Sequence, residues 1–263
     1  MIKTLTPQAL SIIDQYLHFK VGAGSCSIPY FNNKIAKARA ALRSVSGKGS
    51  PVEIKEEIQT LLIKDHVDPA TVTSEALKKV LTDNNIGIDC SAFAYYILDA
   101  ETIAQGKSSI KKGIHFAGAA GLIGKIRCAL RPIENFDVIT FTDNRNSSVI
   151  ALKNTRPGDV ITMINGPEGD ERNHILIIDK VEYADDSATK LMPTIIHYVH
   201  TVAYPEDGIY GTGIKQGVIE ITKPDGTIVE QIWNENNKTG DQNRLFIRAT
   251  KSQTELRRMN KLC

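Results

Sequence analysis

In the stretch GIDCSAFAYYILDA (87–100) a cysteine stands between an aspartate and a serine, at the point where an apolar segment begins. Most free cysteines lie inside apolar runs and behave as small hydrophobes. Cys128, in KIRCALR, has that ordinary setting. Cys90 instead follows Asp89, a residue type that caps helices, so its thiol falls at the first helical position. Unpaired N–H groups and the positive end of the helix dipole both favour an anion there. This placement predicts a thiol pKa below its usual value near 8.5, and a nucleophilic Cys90. Cys26, in a polar loop, is a weaker rival, and Cys263 is terminal.

A nucleophilic thiol needs a base to take and return its proton. Among the six histidines, His174 opens the apolar run HILIIDKVE and so stands at the mouth of a strand, placed to face a cleft. The next β-rich run, TIIHYVHTVAY, carries both His197 and His200. Side chains alternate along a strand, so register decides which of the two joins His174. Setting 174 opposite 200 puts Leu176 opposite Tyr198 and Ile178 opposite Ile196, with the turn centred on Ser187. Setting 174 opposite 197 would oppose Ile178 to Pro193, which cannot donate to the ladder. The first register is preferred, with His197 the alternative. The resulting set is Cys90 as nucleophile, His174 as acid–base group and His200 as the residue that orients it.

The elements that must position these residues divide into two halves. Helical spacing marks residues 6–20, 34–45, 52–64, 73–82, 90–104 and 114–130. Pro51 suits a helix start, and Thr73 or Ser74 suits a cap. Beyond Pro132 the β-branched and aromatic runs at 137–141, 159–164, 174–182, 194–204, 217–233 and 245–249 predict strands. The segment 217–233 reads as a hairpin turning at Asp225 and Gly226. Helices followed by strands indicate an α+β fold, with N-terminal helices packed on a mostly antiparallel sheet. The expectation is a single domain over 1–263 with a helical insertion at about 34–84.

Composition narrows the function classes. The chain of 263 residues holds 32 basic and 30 acidic side chains, too even a balance to suggest nucleic-acid binding. The four cysteines are far apart and form no CxxC pair, which speaks against a disulfide scaffold or a zinc ribbon. No run approaches a membrane span, and the N-terminus lacks the pattern of a signal peptide. A cytoplasmic protein with reduced thiols is expected, with no cofactor.

Four segments resemble those of the NlpC-type papain-like cysteine peptidases and amidases. DCSAF (89–93) resembles their Asp-Cys-Ser-Gly-Phe signature, with Ala92 where that signature has glycine. RPGDVITM (156–163) resembles their Pro-Gly-Asp strand, and NHILIID (173–179) their histidine strand. VHTVA (199–203) falls where they place a third polar residue. IPYFNN (28–33) resembles their Pro-Tyr motif, although here residues 34–84 separate it from the cysteine. The resemblance implies a papain-like core and hydrolysis of an amide bond through a thioester, with cell-wall (peptidoglycan) peptides as the substrate class. It also implies oxyanion- or substrate-binding roles for Tyr30, Asp89 and Ser91.

Competing readings are a binding module on the same fold that no longer turns over substrate, and a thiol acyltransferase. A zinc site built from Cys90, His174 and His200 lacks a fourth ligand motif. Neither SGKGSP nor GLIGKI fits a phosphate loop: Leu42 and Ala119 stand where its first glycine belongs. Lys34, Lys37, Arg39, Arg43 and Lys48 form an acid-free stretch, read as a solvated helix face or as a basic wall for an acidic peptide.

Overall fold

A computed structural model of the chain describes all residues except 33–41, 117–118, 120, 167–171 and 185–190. Polar caps start its helices. Thr6 caps α1 (Pro7–Leu17), and Ser50 with Glu53 closes a reciprocal capping box on α2 (Pro51–Lys64). Thr73 caps α3 (Ser74–Asp83), and Asp89 caps α4 (Cys90–Ala104). Then come α5 (Gly121–Leu130), α6 (Pro132–Asn135), α7 (Val138–Thr142) and, late in the chain, α8 (Arg244–Lys251). Buried Glu101 on α4 accepts hydrogen bonds from both the backbone and the hydroxyl of Thr6, which ties α1 to α4.

The strands are β1 (Ile2–Thr4), β2 (Phe19–Val21), β3 (Gly24–Cys26), β4 (Ser147–Val149), β5 (Val160–Ile164), β6 (His174–Ala184), β7 (Met192–Val202), β8 (Gly213–Glu220), β9 (Ile232–Glu235) and β10 (Gln253–Met259). Eight of them form one sheet in the order β4-β10-β5-β6-β7-β8-β9, with β1 on β6, and β2 pairs with β3 apart. Every ladder between these strands is antiparallel. The fold is therefore α+β with a mostly antiparallel sheet. Both faces of the sheet are covered. Ile175 and Ile177 join the core beneath the helices, whereas Leu176 and Ile178 join a second core with Trp233, Leu245 and Ala249. Burial on both faces explains why β6 reads as a continuous apolar run.

Several expectations require correction. Residues 137–141 are not a strand: Asp137 accepts from the Thr140 N–H and hydroxyl and starts α7 instead. Residues 245–249 belong to α8, capped by Asn243, with Leu245 and Ala249 buried at helical spacing. The hairpin at 217–233 is interrupted. Its strands pair as β8 and β9 from Glu220↔Ile232 to Gly217↔Glu235, while the intervening chain makes the turn at Lys223–Gly226 and a short 3₁₀ turn. The β6–β7 register also differs. Ile178 faces Tyr198, not Ile196, a slip of two residues. A bulge between Ile178 and Lys180 shifts the register by one more, so that Lys180 faces His197 and the inward set of β6 changes from Leu176 and Ile178 to Val181 and Tyr183. Tyr183 faces Pro193 farther along the ladder, and the turn region 185–190 lies outside the described residues. The expected helix at 34–45 falls mostly on residues 33–41, also outside them.

Candidate active site

The site is built at the start of α4. Asp89 Oδ1 accepts the Ala92 N–H at 2.8 Å, fixing Cys90 as the first helical residue. Beneath the turn lies Lys48, buried, with its ammonium 2.8 Å from Asp89 Oδ2, 2.8 Å from Ser91 Oγ and 2.7 Å from the Phe136 carbonyl. Ser91 Oγ donates in turn toward Asp89 and the Phe136 carbonyl. Asp89 and Ser91 are thus turned inward and saturated, and their geometry is that of a helix anchor. Lys48 is no part of a solvated basic wall; nor is Arg43, which is paired with Glu53.

The backbone of 29–31 runs beside residue 88. Ile88 donates to the Pro29 carbonyl, Phe31 donates to the Ile88 carbonyl, and Tyr30 bridges Ile88. That pairing brings Tyr30 close to the thiol across a long stretch of sequence. Burial raises the Tyr30 hydroxyl pKa, and the nearby Cys90 and Asp89 raise it further. Its hydroxyl therefore stays a neutral donor.

The thiol departs from expectation. Cys90 is 5% exposed and part of the helix-side core. Burial, followed by the Asp89 carboxylate, pushes its pKa up to about 12, despite opposing help from Lys48, the Ile175 N–H and Arg248. Desolvation outweighs the helix start, and the resting sulfur is a neutral thiol. The Ile175 N–H, on the residue after His174, is near enough to favour the thiolate, while the described His174 and His200 ring contacts are with each other and with Glu235 rather than with this sulfur.

The two histidines are brought together. His174 Nε2 lies 2.8 Å from His200 Nδ1, although the register sets them diagonally rather than directly opposite. His200 Nε2 lies 2.7 Å from Glu235 Oε2. His197 falls on the other face of β7 and bonds Glu182 at 2.8 Å. Burial raises the Glu235 carboxyl, but His200, the Tyr204 hydroxyl and Lys215 together hold it below its ordinary range. An ionised carboxylate can only accept, so His200 donates through Nε2, and in the neutral form of that ring its Nδ1 is bare. His174 must then donate through Nε2, which leaves its Nδ1 with a lone pair. Burial, then the neighbouring His200 and the Arg248 and Arg172 cations, hold His174 well below its usual pKa and keep it neutral. The carboxylate thus sets the tautomers of both rings and leaves one basic nitrogen at the end of the chain.

Glu235 itself is held by Tyr204, whose hydroxyl donates at 2.9 Å, and by Tyr198 at 3.4 Å. Tyr198 reaches it across β8 because Gly217 lies between them. A Cβ at position 217 would sit 2.2 Å from the Tyr198 hydroxyl oxygen. Sequence reading missed Glu235 because the residue lies 35 positions from His200 in an asparagine-rich segment. Its one signal was an acid two residues after Trp233 on β9, the strand that pairs with β8 one place beyond the histidine strand.

The other cysteines lie elsewhere. Cys26, on β3, is pushed up to about 11 by burial, and Cys128 is buried on α5. No cluster of His, Cys, Asp and Glu among the described residues is arranged to hold a metal ion. No helix among them is long and apolar enough to cross a membrane. In the Pro-Gly-Asp segment, Gly158 adopts a φ of +88° and donates to the Ile178 carbonyl, and Asp159 pairs with Arg258 at 2.6 Å. This segment braces β5 against β6 and holds no catalytic group. Comparisons with family models, curated proteins and solved structures find no match to this chain.

Proposed function

We propose that the protein is a cysteine hydrolase of the peptidase or amidase kind, acting through Cys90, His174 and His200. The observation that carries this reading is the hydrogen-bonded series His174–His200–Glu235, whose His174 end precedes Ile175, the residue whose N–H favours the Cys90 thiolate. The resemblance of the DCSAF, RPGD, NHILIID and VHTVA segments to NlpC-type enzymes agrees with it.

In this reading the thiol ionises only as it reacts. As Cys90 Sγ attacks a substrate carbonyl carbon, His174 Nδ1 takes the thiol proton. The oxyanion is met by the Cys90 N–H, unpaired within the first helical turn, and by the neutral Tyr30 hydroxyl. Collapse breaks the C–N bond, and His174 returns the proton to the leaving amine. A water then attacks the thioester with His174 as base, releasing the acid and restoring the thiol. Peptides, including those of peptidoglycan, are the proposed substrates.

A second reading is favoured by one observation, the burial of a thiol raised to about 12. It holds the protein to be a binding module with an inert cysteine. Iodoacetamide separates the two. The hydrolase reading expects Cys90 to alkylate at pH 7, and His174→Ala to slow that alkylation by about 10²-fold or more. A thiol that stays unmodified, or one whose labelling ignores His174, leaves the binding module.

A further inference from the structure

The region after α4 is a separate, unabsorbed feature. Between Thr102 and Ile133 the sequence holds Lys107, Lys111, Lys112, Lys125, Arg127 and Arg131 and no acidic residue. Glu134 follows on α6. Within this cationic stretch α5 turns large apolar side chains to solvent: Leu122 is 74% exposed, Ile123 84%, Ile126 50% and Leu130 78%. At 3.6 residues per turn these four positions fall within roughly 100° of the helix circumference. Arg127 borders that arc on one side, and exposed Arg131 follows directly after the last helical residue. The opposite side is anchored, with Cys128 buried and Gly124 so close to Ala119 that a Cβ would lie 3.0 Å from its carbonyl carbon. A cavity of about 670 Å³ adjoins the helix, lined by Ile114, Phe116, Leu130 and Ile133 together with Lys111 and Arg43.

This inverts the ordinary surface helix, whose apolar stripe faces the core. An outward apolar arc edged by cations is the pattern of a helix lying in a lipid–water interface. We propose that α5 is a docking surface for an anionic lipid bilayer, with Leu122, Ile123, Ile126 and Leu130 entering the acyl boundary and Arg127 and Arg131 meeting lipid phosphates. Charge complementarity selects the occupant. A second copy of this chain would bring the same cations against themselves, whereas an anionic headgroup layer neutralises them. The apolar arc supplies contact that any bilayer would accept, and the cations supply the preference for negative charge. This surface stands independently of the chemistry at Cys90.

Vesicle flotation tests it with the full chain. The protein is expected to float with vesicles of equimolar phosphatidylcholine and phosphatidylglycerol at low salt, and to stay in the dense fraction with phosphatidylcholine alone. Half-molar salt should weaken the binding. A triple variant, Leu122→Ser with Ile123→Ser and Leu130→Ser, should lower partitioning by about tenfold or more. Arg127→Glu with Arg131→Glu should lower it by roughly fivefold or more for each lost cation. All of these positions are on the helix surface, and an unchanged unfolding midpoint verifies that the fold survives. The proposal is overturned if the wild type ignores anionic vesicles, if it floats equally with neutral ones, or if the variants float like the wild type. It is also overturned if sedimentation finds a dimer that the triple variant dissolves, which would make the patch an interface between copies.

Discussion

A carboxylate two residues removed from the thiol governs which imidazole nitrogen is basic. Glu235 accepts from His200, His200 accepts from His174, and the basic nitrogen falls on the far side of His174. Replacing Glu235 with glutamine keeps the shape but offers a donor as well as an acceptor, so the tautomers are no longer fixed. Glu235→Gln should lower kcat/KM by about 10²–10⁴-fold, mostly in kcat, while the unfolding midpoint moves little. His197→Ala should change kcat/KM by less than about twofold, because that ring bonds Glu182 on the opposite face. Steady-state kinetics on an amide substrate, with a pH profile, checks both. At this scale the meeting of His174 with His200 and the place of Cys90 at a helix start were legible from residue type and strand alternation. The state of the thiol was not. A helix start is visible in sequence, but the burial that raises the thiol to about 12 depends on what packs over it.

Among elements, the start of α4 carries the largest electrostatic stake. Lys48 and Asp89 are each almost wholly buried and lie 2.8 Å apart. Lys48→Met removes the cation and leaves Asp89 without its charged partner next to Cys90. Breaking such a pair from one side costs about 3–5 kcal/mol, which urea denaturation would read directly. The same variant should slow acylation of Cys90, since Asp89 also fixes the first turn. Helix boundaries were well marked in sequence where the start signals were explicit, as at Pro51, Thr73 and Asp89. The errors at 137–141 and 245–249 have a common cause. Both are short apolar runs whose composition suits a strand, and in both a capping side chain, Asp137 or Asn243, decided for helix. The two-residue slip at Ile177 and Ile178 was invisible because an even shift leaves the inward and outward sets of that stretch unchanged, whereas the bulge after Ile178 changes them farther along. Glu235 required the order of strands in the sheet, which places β9 beyond β8 and within reach of His200.

For the whole molecule, the buried site predicts a bounded range of maximal stability. His174 titrates in the native state well below its ordinary 6.5. As pH falls below 6.5 the unfolded chain takes a proton that the native ring refuses, so stability falls. Glu235, held below its ordinary 4.5, adds a second loss as pH falls farther. On the alkaline side the unfolded thiol ionises near 9.0 while native Cys90 waits until about 12, so stability falls again as pH rises. Tyr30, Tyr198 and Tyr204, all raised above their ordinary 10.0, steepen that fall at higher pH. Urea midpoints across this range should form a plateau between about 6.5 and 9. Cys90→Ser should remove part of the alkaline loss, the start of which Cys26, raised to about 11, shares. A midpoint that rises continuously through pH 9 would contradict the assigned burial of the thiol.

The most direct trial of the account is acylation by an activated ester such as 4-nitrophenyl acetate, followed by nitrophenolate release and by the intact mass of the protein. The account predicts a burst equal to the enzyme concentration and a single acetyl group on Cys90, lost in Cys90→Ser and slowed in His174→Ala and Glu235→Gln. Acetylation that spares Cys90, or that proceeds on Cys90 at the same rate without His174, would contradict it.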